Sequence, residues 1–284
     1  MIFNICVIGA GTMGNGIAQV AAQNGLSTQL FDVNKEAIEN AAGTIRKNLE
    51  WLVNKEKLTA DAAKNIFEQI HFTSDLQACK AEVFIEAIVE KAAAKTDVFN
   101  QLAAINSVES IFASNTSSLS ISDLQAGIIH PDRVVGMHFF NPVPVMKLVE
   151  VVKGKQTTDA VAQKIYTLCL QLKKTPVLCN DTPGFIVNRV ARHYYLEAMK
   201  IVESGIASIE NVDALMEASG FKMGPFKLMD LIGLDVNLAV SKSMYEAFHQ
   251  LERFAPSPLQ EAKVAMGNLG KKTGKGFYDY NADE

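Results

Sequence analysis

Short apolar runs alternate with amphipathic stretches over roughly the first 180 residues of the chain. Runs rich in Val, Ile and Phe predict strands that are buried on both faces, as in a parallel sheet. Apolar residues at helical spacing fill the segments between them, so strands and helices alternate as in an α/β fold. The predicted strands are residues 2–8, 28–31, 71–75, 82–88, 111–114, 134–137, 146–152 and 174–179.

The pattern changes at the segment 181–184, which contains Pro183 and Gly184. Beyond it the apolar spacing is helical, with predicted helices at 185–203, 209–219, 228–254 (broken at Gly233) and 258–266. We therefore expect two domains: a doubly wound, Rossmann-type α/β domain over 1–182 and a smaller all-α domain over 183–284. The lysine- and glycine-rich tail carries the aromatic residues Phe277 and Tyr278. They predict that the tail packs on the folded protein and is not a disordered end.

Residues 34–70 form the longest helical insertion of the first domain. Their apolar spacing predicts a projecting helical hairpin, with Thr59 as the cap of its second helix. The lysines on its polar face include Lys55, which could contact a phosphate-bearing substrate. An ordinary solvated helix face explains any single lysine equally well.

A glycine motif follows the first predicted strand at once. It runs Gly9, Ala10, Gly11, Thr12, Met13 and Gly14, and a helical stretch begins there. Glycines in a strand–turn–helix context let the backbone approach a pyrophosphate, which the helix N-terminus then binds. The second strand ends at Asp32, where a carboxylate can accept hydrogen bonds from ribose hydroxyls and repel a 2′-phosphate. The sequence therefore predicts dinucleotide binding, with NAD(H) favoured over NADP(H).

Other polar residues follow the ends of predicted strands, where ligands of such sheets bind. Glu90 follows one strand, with Lys95 early in the next helix, and Ser117 lies in a run of small hydroxyl residues after another. That run could instead cap the following helix. His138 directly follows the predicted strand at 134–137, and Glu150 lies in the next predicted strand. The two side chains can therefore meet across the bend between the strands. Such a pair suits a general base held by an acid, although a structural polar pair fits the same pattern.

Composition narrows the classes of partner. A hydrophobic fraction of 48% and a net charge of −4 are ordinary for a soluble globular protein and indicate no nucleic-acid surface. The four cysteines lack the spacing of a metal site, so we expect no bound metal. We expect them to be reduced thiols, which is typical of a cytoplasmic protein. No apolar run approaches the ~20 residues of a membrane span, and no signal peptide is recognised.

Seven motifs follow one another between Met1 and Tyr280. They are VIGAGTMGNGIA (7–18), IEAIVEK (85–91), SNTSSLSI (114–121), HFFNPVPVMKLVEVV (138–152), DTPGFIVNR (181–189), GPFKLMDLIGLD (224–235) and KKTGKGFYDY (271–280). Together they make the chain resemble the L-3-hydroxyacyl-CoA dehydrogenase family, most closely the short bacterial 3-hydroxybutyryl-CoA dehydrogenases. Residues 40–70 match least.

The resemblance implies roles for particular residues. His138 would exchange a proton with the 3-hydroxyl group while hydride passes between substrate and nicotinamide, and Glu150 would orient and stabilise the imidazolium. Ser117 and Asn188 would bind the substrate oxygen. The cofactor contacts it implies are Gly9, Gly11, Thr12, Met13, Gly14, Asp32, Glu90, Lys95, Ser117, Asn141 and Lys275. Lys55 would contact the CoA phosphates.

The resemblance also implies an acyl-CoA substrate that lies between the two domains, in fatty-acid or butanoate metabolism. The first helix after residue 183 has an apolar stripe too wide for one small domain to cover, which predicts a homodimer through the helical domain. Two alternatives stay open at this point. One is a dehydrogenase of a free hydroxy acid such as gulonate, and the other is a non-catalytic NAD-binding protein.

Overall fold

The computed structural model describes residues 1–281, which fall into two compact units. The first unit is Met1–Thr182, and the second begins at Pro183. The first is an eight-stranded sheet with flanking helices, and the second is helical, so the predicted fold class is confirmed.

The sheet has the strand order β3-β2-β1-β4-β5-β6-β7-β8. Neighbouring strands are parallel except for β6 and β7, which run antiparallel. Its central strands β1, β4, β5 and β6 are mostly apolar and are buried along almost their whole length, as in a sheet covered on both faces. The strands are β1 (Asn4–Ile8), β2 (Ser27–Phe31), β3 (Ile70–Thr73), β4 (Val83–Glu86), β5 (Ile111–Ser114), β6 (Val134–Phe139), β7 (Leu148–Lys153) and β8 (Thr175–Asn180).

Six helices belong to the first unit. α2 and α3 form the predicted hairpin, in which the guanidinium of Arg46 lies 4.7 Å from the ring centre of Phe67. Thr59 caps α3 as predicted, since its hydroxyl oxygen accepts the backbone N–H of Ala62. The helices are α1 (Thr12–Gln23), α2 (Lys35–Asn54), α3 (Ala60–Glu68), α4 (Ala92–Ile105), α5 (Ile121–Gln125) and α6 (Asp159–Gln171).

One predicted strand begins too early. The pattern placed a strand at 146–152, but β7 begins at Leu148. The reason is a turn after β6, in which the carbonyl oxygen of Pro142 accepts the N–H groups of both Val145 and Met146. Apolar composition alone does not reveal that these residues close a turn before the strand starts.

The described part of the second unit, residues 183–281, contains five α-helices: α7 (Val187–Glu203), α8 (Ile209–Ala218), α9 (Pro225–Ile232), α10 (Leu234–Ala247) and α11 (Pro258–Ala265). Its core includes Leu196, Met199, Phe226 and Met229. The predicted break at Gly233 is confirmed, but the helix predicted to reach residue 254 ends at 247. His249 and Gln250 have φ angles of +53° and +60°, which a continuing α-helix does not allow.

The tail docks, as its aromatics predicted. Asp230 is 1% exposed, and its carboxylate accepts the backbone N–H groups of Phe277 and Tyr278 and the hydroxyl of Tyr280. Its neighbour in the core, Asp213, accepts the hydroxyl of Tyr278 at 2.8 Å. Two buried carboxylates therefore fix the end of the chain by hydrogen bonds rather than by apolar packing alone.

Among residues 1–281, no helix has both the length and the apolar character that a membrane span requires. Within the same residues, no group of three or more His, Cys, Asp and Glu side chains is arranged to hold a metal ion. All four cysteines are free thiols, and three of them, Cys6, Cys79 and Cys169, are buried.

The anchoring role of Asp230 can be tested by substitution. Asp230→Ala is expected to lower the free energy of unfolding by about 2–5 kcal/mol, because it leaves buried donors unsatisfied. Asp235→Ala, which removes an exposed ion pair with Lys272, should cost less than about 1 kcal/mol. Urea denaturation followed by circular dichroism measures both. Equal small losses for the two variants would show that the tail does not depend on Asp230.

Candidate active site

The glycine motif forms a tight turn between β1 and α1. Gly9 has φ +104°, and its N–H donates to the carbonyl oxygen of Phe31 at 2.7 Å. A Cβ atom at Gly14 would lie 1.7 Å from the carbonyl oxygen of Gly9, so the helix can approach the strand only without a side chain there. The turn is therefore built as the sequence predicted.

The N-terminus of α1 carries the features that an anion site needs. Gly11 is the residue before the helix, and no side-chain oxygen caps the first turn in the described part of the chain. A Cβ atom at Gly11 would have no atom within 4 Å, so this face of the turn is open. Thr12 is exposed and Met13 half-buried beside it. Uncapped N–H groups at a helix start fit the pyrophosphate of a dinucleotide.

Asp32 lies directly after β2, next to this turn. One of its carboxylate oxygens accepts the N–H of Ala10 at 2.8 Å, and the other accepts the N–H of Asn34 at 2.9 Å. A carboxylate oxygen has two lone pairs, so each can accept a further hydrogen bond. The side chain is thus held in one orientation at the edge of the turn, where it can receive ribose hydroxyls.

A buried ion-pair network lies after β4. The ammonium of Lys95 is 2.6 Å from Glu86 and 3.0 Å from Glu90, and Lys95 and Glu86 are almost fully buried. Glu86 also accepts the hydroxyl of Ser114 at 2.6 Å. The network joins the ends of β4 and β5 to the first turn of α4, which fixes the position of all three charges.

Glu90 connects this network to the hydroxyl run after β5. Its carboxylate accepts the hydroxyl of Thr116 and the backbone N–H of Ser117, the latter at 3.2 Å. Burial would raise the pKa of Glu90, but Lys95 and the hydroxyl donors outweigh it and hold that pKa below its ordinary value. Glu90 is therefore an anion near neutral pH, and it orders the loop that presents Ser117. The capping alternative also holds nearby, since the hydroxyl of Ser120 caps α5.

The histidine and glutamate predicted to meet do so. In the antiparallel pairing of β6 with β7, His138 lies opposite Glu150. Nδ1 of His138 is 2.7 Å from Oε2 of Glu150, and the two residues are 6% and 1% exposed. Phe140 packs on the imidazole with ring centres 4.5 Å apart. An ionised carboxylate only accepts hydrogen bonds, so the contact assigns the donor role to Nδ1 when Glu150 is an anion, and Nε2 is then the nitrogen that does not contact Glu150.

The bend between β6 and β7 packs against the glycine-motif helix. Val143 in the bend is 1% exposed, and a Cβ atom at Gly16 of α1 would lie 3.0 Å from the Cβ atom of Val143. Asn141, at the start of the bend, is exposed. The bend therefore links the histidine and glutamate strands to the helix whose N-terminus fits a pyrophosphate.

Three further predicted site residues lie on other elements of the chain. Lys55 is exposed at the C-terminal end of α2. Asn188 lies in the first turn of α7, and Lys275 lies in the tail, 3.8 Å from Asp279; both belong to the second unit. Their proposed contacts stay predictions.

Sequence reasoning missed two residues of the site. Glu86 is the buried carboxylate that pairs with Lys95, and Asn115 accepts the N–H of Phe139, next to His138, at 2.9 Å. A signal existed for Glu86, because a charged residue inside an apolar strand must find a partner. The signal for Asn115 was weaker: it is an amide at the start of a run of hydroxyl residues.

Comparisons with known proteins place this geometry in a family. Residues 4–182 match the model of the 3-hydroxyacyl-CoA dehydrogenase NAD-binding domain, and residues 184–280 match the model of the C-terminal domain of the same family. A probable 3-hydroxybutyryl-CoA dehydrogenase of Deinococcus radiodurans is 44% identical over 276 residues, which is 96% of this chain and 99% of that protein.

Two further relatives agree. The crystal structure of (S)-3-hydroxybutyryl-CoA dehydrogenase from Ralstonia eutropha superposes with a TM-score of 0.94 at 39% identity and covers 99% of both chains. The 3-hydroxyadipyl-CoA dehydrogenase of Escherichia coli is 46% identical over 98% of this chain, which spans only 59% of that longer protein. Both family models and the full-length relatives lead to the same conclusion, that this chain belongs to the 3-hydroxyacyl-CoA dehydrogenase family of oxidoreductases acting on CH–OH groups.

Proposed function

We propose that the chain is an NAD-dependent (S)-3-hydroxyacyl-CoA dehydrogenase that interconverts 3-hydroxybutyryl-CoA and acetoacetyl-CoA. The observation that carries this proposal is the buried contact between His138 and Glu150 in the unit that holds the dinucleotide turn. Two relatives that match over nearly their full length carry 3-hydroxybutyryl-CoA in their names, which supports the four-carbon thioester.

His138 would move the proton of the reaction. NADH, when bound, supplies hydride to the keto carbon of the substrate, and the oxygen of that carbon gains negative charge. Nε2 of His138 would donate a proton to this oxygen, and in the reverse direction it would remove one from the hydroxyl. Glu150 holds Nδ1, so the ring keeps one orientation, and its carboxylate stabilises the imidazolium.

Ser117 would polarise the carbonyl by donating its hydroxyl to the same oxygen. Its backbone N–H is held by Glu90, which fixes the loop before substrate arrives. A donor that is already in place where charge develops needs no reorganisation during the reaction. The anionic Glu90 is itself proposed to lie at the nicotinamide side of the cofactor.

The preference for NAD(H) over NADP(H) would come from Asp32. Its carboxylate is oriented by the N–H groups of Ala10 and Asn34 and would accept ribose hydroxyls. A 2′-phosphate in that place would meet a like charge without a compensating arginine beside it. This finer preference goes beyond the NAD-binding domain that the family shows.

A longer, acidic acyl group is a second candidate substrate. The Escherichia coli relative with 46% identity is named for 3-hydroxyadipyl-CoA, whose acyl chain ends in a carboxylate. The two substrates share the reacting atoms and differ in the far end of the acyl chain. A comparison of acetoacetyl-CoA with 3-oxoadipyl-CoA distinguishes them without altering the proposed chemistry.

We further propose that the second unit forms a homodimer. Large apolar side chains of this unit are exposed, among them Val190 (67%), Leu231 (52%) and Val236 (50%), and their burial against a partner would be favourable. A second copy of the chain would cover them in a closed, symmetric interface.

The proton-transfer role predicts a large loss of turnover. With NADH and acetoacetyl-CoA, His138→Gln and Glu150→Gln are each expected to lower kcat by roughly 100- to 10,000-fold, because general acid–base catalysis contributes about that much. The Kd for NADH should stay near that of the unaltered protein. Steady-state rates and a fluorescence titration of NADH measure the two quantities.

Matched variants and substrates complete this test. His71→Gln and Glu109→Gln change exposed residues of the same unit and should leave kcat unchanged. Free acetoacetate should react far more slowly than its CoA thioester, because it lacks the remote binding groups. If the unaltered protein reduces the free acid as well as the thioester, the proposed substrate class is wrong.

Cofactor selectivity is predicted to depend on the charge of Asp32. The ratio of kcat/KM for NADPH to that for NADH should rise by roughly tenfold or more in Asp32→Gly, since each ~1.4 kcal/mol of relieved repulsion is a factor of ten. Asp32→Asn keeps the shape of the side chain and removes its charge. It therefore distinguishes the effect of charge repulsion from the effect of the space that glycine opens. An unchanged ratio in both variants would place selectivity elsewhere.

The dimer is tested by mass in solution. Sedimentation should give twice the chain mass of 30.9 kDa for the unaltered protein and a single chain for the double variant Val190→Asp, Val236→Asp. Val108→Asp, at an equally exposed valine of the first unit, should leave the mass unchanged. A single-chain mass for the unaltered protein contradicts the proposal.

A further inference from the structure

Lys174 is a buried cation that none of the proposed chemistry uses. It lies just before β8, where its residue is only 7% exposed. Its ammonium donates to the carbonyl oxygens of Val143, at 2.5 Å, and Met146, at 2.8 Å. Within the described residues no carboxylate lies within ion-pair distance of it, so backbone oxygens are its polar partners.

This arrangement is costly unless the hydrogen bonds are well made. Burial lowers the pKa of Lys174 below its ordinary value, because the charged form loses solvation. An ammonium without a carboxylate depends on its acceptors, and hydrogen bonds from a charged donor are roughly twice as strong as neutral ones. Both acceptors are carbonyl groups of one short segment, so the hydrogen bonds of the ammonium hold that segment in place.

The segment is the bend that joins β6 to β7. It carries Asn141 near its start and comprises residues 140–147, which join the strand of His138 to the strand of Glu150. A second tie lies next to the first, since the N–H of Thr175 donates to the carbonyl oxygen of Lys147 at 2.8 Å. The start of β8 thus holds the bend from one side.

The glycine-motif helix holds the bend from the other side. Val143, whose carbonyl oxygen accepts from Lys174, presses its side chain on Gly16 of α1. The bend is therefore clamped between a charged donor and the helix that begins at the dinucleotide turn. Movement of the bend would change the distance between that turn and Asn141.

We propose that Lys174 is a positioning residue for the dehydrogenase reaction, which fixes the bend and thereby the placement of His138 and Asn141 relative to α1. The inference rests on the function proposed above. Lys174 acts through the backbone of the bend and needs no contact with substrate or cofactor. Its loss should impair the alignment of hydride and proton transfer more than it impairs cofactor binding, because a displacement of about 1 Å can cost ~100-fold in rate.

The test is Lys174→Met, which keeps the length of the side chain and removes the donors. With acetoacetyl-CoA and NADH, kcat should fall roughly 10- to 100-fold, while the Kd for NADH changes little. The isotope effect on kcat with NADH deuterated at the transferred position should rise, because misalignment makes hydride transfer slower than the other steps. Lys174→Arg, which still donates charged hydrogen bonds, should recover part of the rate.

Matched controls separate positioning from stability. Lys173→Met removes the same charge from the exposed neighbouring residue and should leave kcat and the isotope effect unchanged. If Lys174→Met does not fold, Lys174→Gln keeps an uncharged amide NH2 donor and should give an intermediate rate with a raised isotope effect. A folded variant whose kcat and isotope effect equal those of the unaltered protein overturns the proposal. Inactivity of the unaltered protein toward acetoacetyl-CoA would instead overturn the proposed function.

Discussion

The antiparallel pairing of β6 with β7 is the interaction on which the site depends. It reverses the direction of the sheet after six neighbouring strands that run parallel, and it sets His138 directly across from Glu150. Side chains alternate between the two faces of a strand, so a register shift of one residue would turn these two groups away from each other. The short bend allows no other connection, because parallel neighbours need a much longer crossover.

Buried charge stabilises the carboxyl edge of the sheet in two different ways. Glu86 and Glu90 surround Lys95 and hold the loops after β4 and β5 by ion pairs. Lys174, by contrast, uses carbonyl oxygens to hold the bend after β6. In both places, polar groups out of water fix the geometry of a loop more strictly than apolar contacts do, because hydrogen bonds are directional. His138 and Glu150 therefore stand on paired strands, and Ser117 stands on a loop that Glu90 holds by hydrogen bonds.

Local patterns predicted part of this structure well. The turn at Gly9, the pairing of His138 with Glu150 and the docked tail all follow from residue type and spacing within a short stretch of chain. The contacts of Lys174 with Val143 and Met146 did not, because those carbonyl groups lie on a distant segment that only the sheet order brings near. The hydrogen bond of Glu86 with Ser114 did not for the same reason, since Ser114 lies on the neighbouring strand β5. The predicted end of a helix was wrong where backbone angles rather than apolar spacing determine it, as at His249. Contacts of Asn188 stay predictions, since that residue belongs to the second unit.

The position of the single tryptophan has a practical consequence. Trp51 lies in α2 of the hairpin, half exposed, with the ammonium of Lys57 5.4 Å from its ring centre. Indole emission depends on the polarity and charge around the ring, so its spectrum reports the state of the hairpin. Selective excitation of tryptophan therefore reports on the first unit, which holds the one tryptophan of the sequence. Tryptophan fluorescence is therefore an intrinsic probe of the first of the two units.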